Sequence, residues 1–300
     1  MRILVLGHTG YLGAHVAERL RALPGTRVLG GGRSPAAGFP VDLAAVRPEQ
    51  LAKTLAAAAP DTVVNCAGAT GGDAVTLAEV NARGPAVLCA ALRSAAPAAR
   101  LVHLGSAAEY GPGAVDSRVT ESAATSPAGP YGATKLAGTA AVTASGLDAV
   151  VLRVGNPVGP GAPASGLPGR IAGLLRAAGT DPEAVLRLGD LSAFRDFVDV
   201  RDVAGAVALA VTAPGPLPPV LNIGGGRAVP VRELVRRLVR LAAFAGRIEE
   251  NAAGTAGSAR SAEVSWQCSD IGAAARALGW RPVHSLDDAL AALWGGEGTS

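Results

Sequence analysis

Hydrophobic residues in this chain form short continuous runs that alternate with longer segments of helical character. The runs predict six strands: residues 3–6, residues 27–31, a short strand that includes Val41, and residues 62–65, 100–104 and 149–153. The intervening segments predict helices that end near Leu23, cover 48–59 and 74–96, surround Tyr131, and cover 203–211. Because continuous apolar strands separated by helices are typical of a parallel sheet covered on both faces, the pattern predicts a doubly wound α/β fold.

The pattern changes after residue 155, where four prolines between residues 157 and 168 make a loop-rich stretch. We therefore predict a first domain over residues 1–155 and a smaller α/β domain, which would bind substrate, over residues 156–300. The helix predicted at 203–211 could pack back on the first domain. The second region therefore includes a segment, at about 196–225, that returns to the first domain.

Composition and charge exclude several classes of function. Hydrophobic residues make up 49% of the 300-residue chain but aromatic residues only 3%, and the net charge is +3. The arginines are scattered, without a basic run interleaved with aromatic residues, which argues against nucleic-acid binding. No window has the roughly 18 uninterrupted apolar residues of a membrane span, and Gly7 ends the first apolar run early. We expect a cytoplasmic protein that binds neither nucleic acid nor membrane.

The three cysteines, Cys66, Cys89 and Cys268, are odd in number and lie far apart in the sequence. None has a histidine at a metal-ligand spacing. We interpret them as reduced and buried, and we predict no metal site.

A glycine-rich loop follows the first strand and opens the first helix. Gly7, Gly10 and Gly13 would allow a tight turn, a close approach of the backbone to a pyrophosphate, and a helix N-terminus aimed at the anion. This context predicts a Rossmann-type dinucleotide site. The second strand ends in a Gly-Gly-Gly sequence followed by Arg33 and Ser34, without the carboxylate that holds an NAD ribose. Arg33 is placed for a 2′-phosphate, so we predict NADP(H); the alternative is that Arg33 only faces solvent.

Tyr131 and Lys135 form a second candidate site. Lys135 is one of only two lysines in the chain, and it lies four residues after Tyr131 in a segment with helix-start prolines. At this spacing the two side chains share a helix face, and the ammonium would lower the pKa of the phenol towards a range useful for proton transfer. The alternative is an ordinary exposed pair on a helix.

The glycine loop, Tyr131, Lys135 and an upstream serine together resemble the extended short-chain dehydrogenase/reductase family, and the resemblance covers nearly the whole chain. It includes the Val41-Asp42-Leu43 turn, the Asn65-Cys66-Ala67-Gly68 strand end, Val80-Asn81 with Gly84, and the run from Ser106 to Gly111. The resemblance implies catalytic roles for Ser106, Tyr131 and Lys135. It implies cofactor contacts from Gly7, Thr9, Gly10, Tyr11, Leu12, Gly13, Arg33, Ser34, Asp42, Leu43, Cys66, Ala67, Gly68, Asn81, Tyr131 and Lys135.

The residues after Ser106 distinguish between reactions of this family. The family's 4,6-dehydratases carry acidic residues at the next two positions, whereas this chain has Ala107 and Ala108. Methyl groups cannot move protons, so a dehydratase is rejected. Glu109 lies one position too late and is interpreted as a local structural residue. Epimerases commonly keep an acidic ribose contact, and Arg33 argues instead for NADPH consumed in a net reduction.

Three further segments resemble the family's diphosphate-binding motifs. They start at Arg153, Arg195 and Arg260, and imply that Asn156, Arg195 and Arg260 bind the substrate together with Ser106. Guanidinium groups match phosphate oxygens in a bidentate geometry, which suits a nucleotide sugar. Arg195 could otherwise pair with Asp196, and Arg260 could lie in a loop rich in Gly, Ser and Ala. Asp270 and the run from Leu278 to Pro282 complete the family's C-terminal pattern and are interpreted as packing.

The sequence therefore predicts an NADPH-dependent ketoreductase acting on a nucleotide-linked 4-keto-6-deoxyhexose. The alternatives are a reductase of a ketone on a natural-product (polyketide-type) scaffold, a nucleotide-sugar epimerase, and an NADP-binding regulatory protein without catalysis. The presence of Ser106, Tyr131 and Lys135 together argues against the last of these. The family resemblance also suggests a homodimer formed through the helices after the fourth and fifth strands.

Overall fold

A computed structural model describes residues 1–35, 37–250 and 264–296 of the chain. Its twelve strands are β1 Arg2–Leu6, β2 Arg27–Gly32, β3 Phe39–Pro40, β4 Thr62–Asn65, β5 Arg100–Ser106, β6 Ala149–Val154, β7 Asn156–Val158, β8 Val185–Arg187, β9 Phe194–Asp199, β10 Val220–Ile223, β11 Ala228–Pro230 and β12 Arg247–Glu249. Seven of them form one parallel sheet in the order β10-β6-β5-β4-β1-β2-β3. The order 3-2-1-4-5-6 within this sheet is that of a Rossmann fold, which confirms the predicted fold class.

The helices are α1 Tyr11–Arg21, α2 Pro48–Ala58, α3 Ala74–Ala78, α4 Gly84–Ala95, α5 Pro130–Thr143, α6 Leu167–Ala178, α7 Val200–Thr212, α8 Val231–Leu241, α9 Gly272–Leu278 and α10 Leu286–Gly295. A π turn at Glu79–Arg83 joins α3 to α4, and a 3₁₀ turn at Ala107–Glu109 follows β5. No helix of the described residues is long and apolar enough to cross a membrane.

Most predicted elements agree with the structure within two residues, and four details differ from the prediction. The third strand is Phe39–Pro40, so Val41 lies just beyond it. The single helix predicted at 74–96 is interrupted by the π turn, because local hydrophobic periodicity does not reveal one extra residue per turn. The strand predicted at 100–104 continues to Ser106. Cys66 is half-buried, although Cys89 and Cys268 are buried and all three thiols are free.

Two hydrophobic clusters cover the two faces of the large sheet. One includes Ile3, Leu152 and Val203, and the other includes Leu4, Leu88 and Val151. Adjacent residues of β1 enter different clusters because successive side chains of a strand point to opposite faces. Helix α7 belongs to the first cluster and β10 is an edge strand of the sheet, so the chain returns to the large sheet after β9. The predicted domain boundary at residue 155 stays a prediction.

A smaller unit is built from the remaining elements. β11, β9 and β7 form a three-stranded sheet, β8 pairs with β12, and a third cluster that includes Ile171, Leu234 and Leu290 fills the space beneath helices α6, α8 and α10. Asp202 of α7 connects the C-terminal segment to the large sheet. Its carboxylate accepts hydrogen bonds from the backbone N–H groups of Val283 and His284, and its carbonyl accepts one from the Trp280 indole.

Candidate functional site

The glycine loop lies between β1 and α1 at the carboxyl edge of the large sheet. Gly7 has a positive φ of 75°, which favours glycine, and its N–H donates to the carbonyl of Gly31 at 2.8 Å. A Cβ on Gly13 would overlap the carbonyl oxygen of Gly7, so only glycine lets the helix pack this closely on the loop. Helix α1 starts after Gly10 without a side-chain cap and without an acidic residue in its first turn. Its N-terminal N–H groups therefore suit an anion, and the residues fit a dinucleotide pyrophosphate.

The end of β2 is shaped by His8 of the glycine loop. A Cβ on Gly30 would lie 2.7 Å from Nε2 of His8, so the imidazole occupies the space above this strand end. Arg33 follows β2 and is exposed, while Ser34 is half-buried. Thr9 is exposed, Tyr11 and Leu12 are half-buried, and all three lie between Gly7 and Gly13.

Asn81 in the π turn connects the β4 end to helix α5. Its side chain accepts from the N–H of Ala69 at 2.9 Å and donates to the carbonyl of Ala69 at 2.8 Å. It also donates to the hydroxyl of Thr134, which in turn donates to the carbonyl of Tyr131. The segment Cys66, Ala67 and Gly68 runs between these groups and the glycine loop, since a Cβ on Gly7 would lie 2.8 Å from the Ala67 nitrogen.

Helix α5 carries Tyr131 and Lys135 on one face, as the spacing predicted. Lys135 is 5% exposed, and its Nζ donates to the carbonyl of Leu104 at 2.6 Å. Burial lowers the pKa of this ammonium, and electrostatic interactions with Glu109 and then Cys66 oppose the shift. The pKa of the Cys66 thiol is raised to about 12 by burial, against the effect of Lys135. Tyr131 is half-buried, so the pair is not an ordinary exposed one.

Ser106 is the last residue of β5 and lies close to the start of α5. Its Oγ accepts a hydrogen bond from the N–H of Ala108 at 3.2 Å. A Cβ on Gly132, next to Tyr131, would lie 2.5 Å from the carbonyl oxygen of Ala108, so the helix packs directly on the turn after Ser106. The structure thus brings the three predicted catalytic residues together at the end of β5.

Asn156 and Arg195 lie in the small three-stranded sheet. Asn156 is opposite Phe197 in the parallel pair β7–β9, and Arg195 is two residues before Phe197, so both side chains belong to the same face of the sheet. Arg195 is 4% exposed, and burial lowers its pKa. Oδ1 of Asn156 is buried and accepts no hydrogen bond from the described residues. Arg260 lies outside the described residues.

Two of the predicted cofactor contacts, Asp42 and Leu43, also interact with neighbouring parts of the chain. Asp42 is exposed, and one of its carboxylate oxygens accepts from the N–H of Ala44, so the side chain also closes its own turn. Leu43 is buried against Gly84, where a Cβ would lie 3.1 Å from that of Leu43.

Asp196, considered as a partner for Arg195, instead accepts from the N–H of Ser269 at 3.0 Å, and burial raises its pKa to about 6.

Sequence reasoning overlooked a buried ion pair behind Ser106. Glu109 is fully buried, and its Oε2 accepts from Nε of Arg153 at 2.7 Å, while its Oε1 accepts from the N–H of Ser106 at 2.8 Å. The sequence did contain a signal for this pair. Arg153 ends the apolar run of β6, and a buried guanidinium needs a partner carboxylate.

Comparisons with known proteins agree with this architecture. A family model described as the NAD dependent epimerase/dehydratase family matches residues 3–224. The chain is 39% identical over 203 residues to dTDP-6-deoxy-L-talose 4-dehydrogenase (NAD(P)(+)) of Kitasatospora kifunensis. That alignment covers 66% of this chain and 63% of the relative, so the chain matches less than two thirds of the relative's length.

Solved structures align over almost the whole chain. The UDP-glucose 4-epimerase of Thermus thermophilus in complex with NAD is 26% identical with a TM-score of 0.82, and the alignment covers 98% of each chain. RMD from Pseudomonas aeruginosa, complexed with NADPH, is 24% identical with a TM-score of 0.82 over 98% of this chain and 97% of that one, a likeness of fold. From the family match, the chain belongs to the NAD-dependent epimerase/dehydratase family, which is the extended short-chain dehydrogenase/reductase family.

Proposed function

We propose that the protein is an NADPH-dependent ketoreductase that reduces a nucleotide-linked 4-keto-6-deoxyhexose. The observation that carries the proposal is the convergence of Ser106, Tyr131 and Lys135 at the end of β5, beside the glycine loop. A hydroxyl, a phenol and a buried ammonium on the edge of a dinucleotide-binding sheet suit hydride transfer to a carbonyl coupled to proton donation.

The chain's own residues have distinct roles in this proposal. The bound nicotinamide supplies the hydride. Tyr131 donates the proton to the carbonyl oxygen, and Lys135 favours the phenolate that remains and binds the nicotinamide ribose. Because Oγ of Ser106 already accepts from Ala108, its O–H proton is available to donate to the same carbonyl oxygen. Asn81 and Thr134 hold the first turn of α5 in place.

The end of β2 supports NADPH as the cofactor. The imidazole of His8 fills the space above Gly30, and no carboxylate is present between Gly30 and Ser34. A side chain at Gly30 would collide with His8 unless the ring moved. Arg33 is exposed next to this strand end and suits a 2′-phosphate. The curated relative from Kitasatospora kifunensis is named for both cofactors, NAD(P)(+).

The small sheet supports a nucleotide sugar as the substrate. Asn156 and Arg195 share one face. Arg195 is buried there and its Nη1 donates to the carbonyl of Phe194, while the buried Oδ1 of Asn156 accepts no hydrogen bond from the described residues, which suits a polar ligand. We assign the diphosphate to Arg195, Asn156 and Arg260. The same relative is named as a 4-dehydrogenase of a dTDP-linked 6-deoxy sugar, which is the reverse of the proposed reduction.

A cofactor-oxidation assay separates the proposed reductase from its alternatives. The purified protein is incubated with a nucleotide-linked 4-keto-6-deoxyhexose and either NADPH or NADH, and cofactor oxidation is followed. We expect stoichiometric oxidation, with NADPH preferred. An epimerase would instead interconvert the 4-hydroxy sugars without net cofactor consumption. A scaffold reductase would oxidise NADPH only with a polyketide-type ketone.

The cofactor assignment is tested at Arg33. Arg33→Asp removes the phosphate partner and restores a ribose acceptor, so we expect the ratio of kcat/KM for NADPH to that for NADH to fall by at least about tenfold. Equal turnover with both cofactors in the parent protein would contradict the assignment.

A further inference from the structure

The Glu109–Arg153 pair is fully enclosed next to the candidate catalytic residues. Both oxygens of the Glu109 carboxylate are used, one by Arg153 and one by the N–H of Ser106. The Arg153 guanidinium also lies 4.4 Å from the ring centroid of Tyr110, whose hydroxyl donates to Asn222 at 2.8 Å. The relative exposures of Glu109 and Arg153 are 0% and 5%.

The backbone makes room for this carboxylate. Gly105 is opposite Arg153 in the β5–β6 pair, and a Cβ on Gly105 would lie 2.7 Å from Oε1 of Glu109 and 2.8 Å from Cγ1 of Val151. A buried ion pair is weak evidence for stability, because desolvation of two charges offsets most of their attraction and apolar residues of similar volume often serve as well. The pair therefore calls for an explanation other than stability.

The position of the pair connects it to two of the three candidate catalytic residues. Glu109 fixes the Ser106 amide, and the same turn fixes the Ser106 hydroxyl through the N–H of Ala108. The Lys135 ammonium lies at the same strand end, because its Nζ donates to the carbonyl of Leu104, and a Cβ on the next residue, Gly105, would lie 2.7 Å from Oε1 of Glu109. The negative charge of Glu109 opposes the lowering of the Lys135 pKa by burial. Cys66, His103 and Tyr131 are further titratable groups near Lys135. His103 is held neutral, because burial and then Lys135 lower its pKa well below the usual range.

We propose that Glu109 and Arg153 are positioning residues for the reaction, which hold the Ser106 hydroxyl in place and set a negative charge beside the Lys135 ammonium. Arg153 orients the Glu109 carboxylate, and Glu109 acts on the substrate only through Ser106 and Lys135. The inference rests on the proposed function for its kinetic consequence. Its electrostatic consequence can be measured without any substrate.

The first experiment measures the charge on Lys135 directly. Lysine labelled with ¹⁵N gives two side-chain signals, because the chain contains only Lys53 and Lys135. In Glu109→Gln the negative charge is lost, and we expect the pKa of Lys135 to fall further below its usual range. The signal of the exposed Lys53 is the internal control and should be the same in both proteins. An unchanged Lys135 titration in the folded variant would overturn the inference, whether or not the proposed substrate is correct.

The second experiment separates positioning from stability. The double variant Glu109→Leu/Arg153→Met replaces the pair by apolar residues and leaves the Ser106 N–H without its side-chain acceptor, so we expect it to fold with a melting temperature only a few degrees lower. We expect kcat to fall by about 10²-fold with little change in KM, because the Ser106 hydroxyl loses its fixed geometry. The exposed pair Arg187–Glu249, replaced in the same way, should leave kcat unchanged. A folded double variant with parental kcat would show that the pair is only structural.

Discussion

At the scale of single residues, the catalytic proposal depends on Tyr131. Replacement by phenylalanine removes only the hydroxyl, and α5 keeps its packing through Asn81 and Gly132. We expect Tyr131→Phe to lower kcat by roughly 10²–10⁴, the range of general acid catalysis, with little change in NADPH affinity or melting temperature. Single-turnover reduction and cofactor titration measure the two effects. Near-parental turnover would assign the proton to another group.

Arg195 provides the residue-scale test of the substrate. If Arg195 binds a diphosphate, Arg195→Ala leaves an anion short of a charge-assisted partner. We expect a loss of about 2–3 kcal/mol in kcat/KM, expressed mainly in KM, since phosphates are bound alike in the ground and transition states. Arg187→Ala, at an exposed position of the same unit, is the matched control and should be silent. Equal effects of the two variants would argue against a diphosphate.

The sequence predicted Tyr131, Lys135 and Ser106 because each belongs to a short local pattern. It did not predict the Glu109–Arg153 pair, since its two members are 44 residues apart and meet only when β5 and β6 pair. Glu109 was interpreted as a local structural residue, and its bond to the Ser106 amide is indeed local. The missing part was the long-range partner, which only the strand register supplies.

At the scale of elements, the contact between α5 and the π turn places Tyr131. A Cβ on Gly138 would overlap the carbonyl oxygen of Asn81, so no larger residue fits without moving the helix. We expect Gly138→Ala to cost about 1–3 kcal/mol of unfolding free energy. Activity should fall beyond the fraction of unfolded protein. Denaturant titration and kcat measured on the same samples separate the two losses.

A matched glycine in another helix should behave oppositely. Gly173 lies inside α6, is exposed, and a Cβ there would meet nothing within 4 Å. Gly173→Ala is therefore expected to stabilise the protein by about 0.4–1 kcal/mol, because alanine restricts the unfolded chain and favours the helix. If both substitutions destabilised the protein, the loss of stability in Gly138→Ala could not be assigned to the close contact between Gly138 and Asn81.

The strands and helices were predictable because hydrophobic runs report burial on one or both faces. The residues at which the strands end were harder to predict. β5 continues to Ser106 because it pairs with β6 up to Val154, and the third strand consists of only Phe39 and Pro40. The ends of these strands depend on pairing with neighbouring strands, and a single run of residues does not encode that pairing.

At the scale of the whole molecule, Asp202 connects the C-terminal segment to the large sheet. Its buried carboxylate accepts from two backbone N–H groups and lies 2.8 Å from Nδ1 of His284. Asp202→Ala would leave these donors unpaired, so we expect a loss of about 2–4 kcal/mol in unfolding free energy. Thermal denaturation measures this effect. Asp287→Ala, which removes an exposed carboxylate paired with Arg237, should change stability by less than about 0.5 kcal/mol.

The overall fold class could be predicted because the order of elements restricts the possible topologies. The return of the chain to the large sheet was foreseen only as a segment at about 196–225, and the structure gives it as α7 and β10. The placement of Asn156 and Arg195 on one face of the sheet depends on the parallel pairing of β7 with β9, which connects residues about 40 positions apart. Local patterns carry no information about such pairing.

The π turn at Glu79–Arg83 also limits how the gene can change by insertion or deletion. A π turn holds one residue more than an α-helical turn, and each residue of an α-helix rotates the chain by about 100°. Loss of the single codon for Ala82 would allow a continuous α-helix from α3 to α4. It would rotate Asn81 relative to α4, away from Ala69 and Thr134. An in-frame deletion that makes the helix more regular would therefore break the connection that Asn81 makes between the segment after β4 and the helix that carries Tyr131.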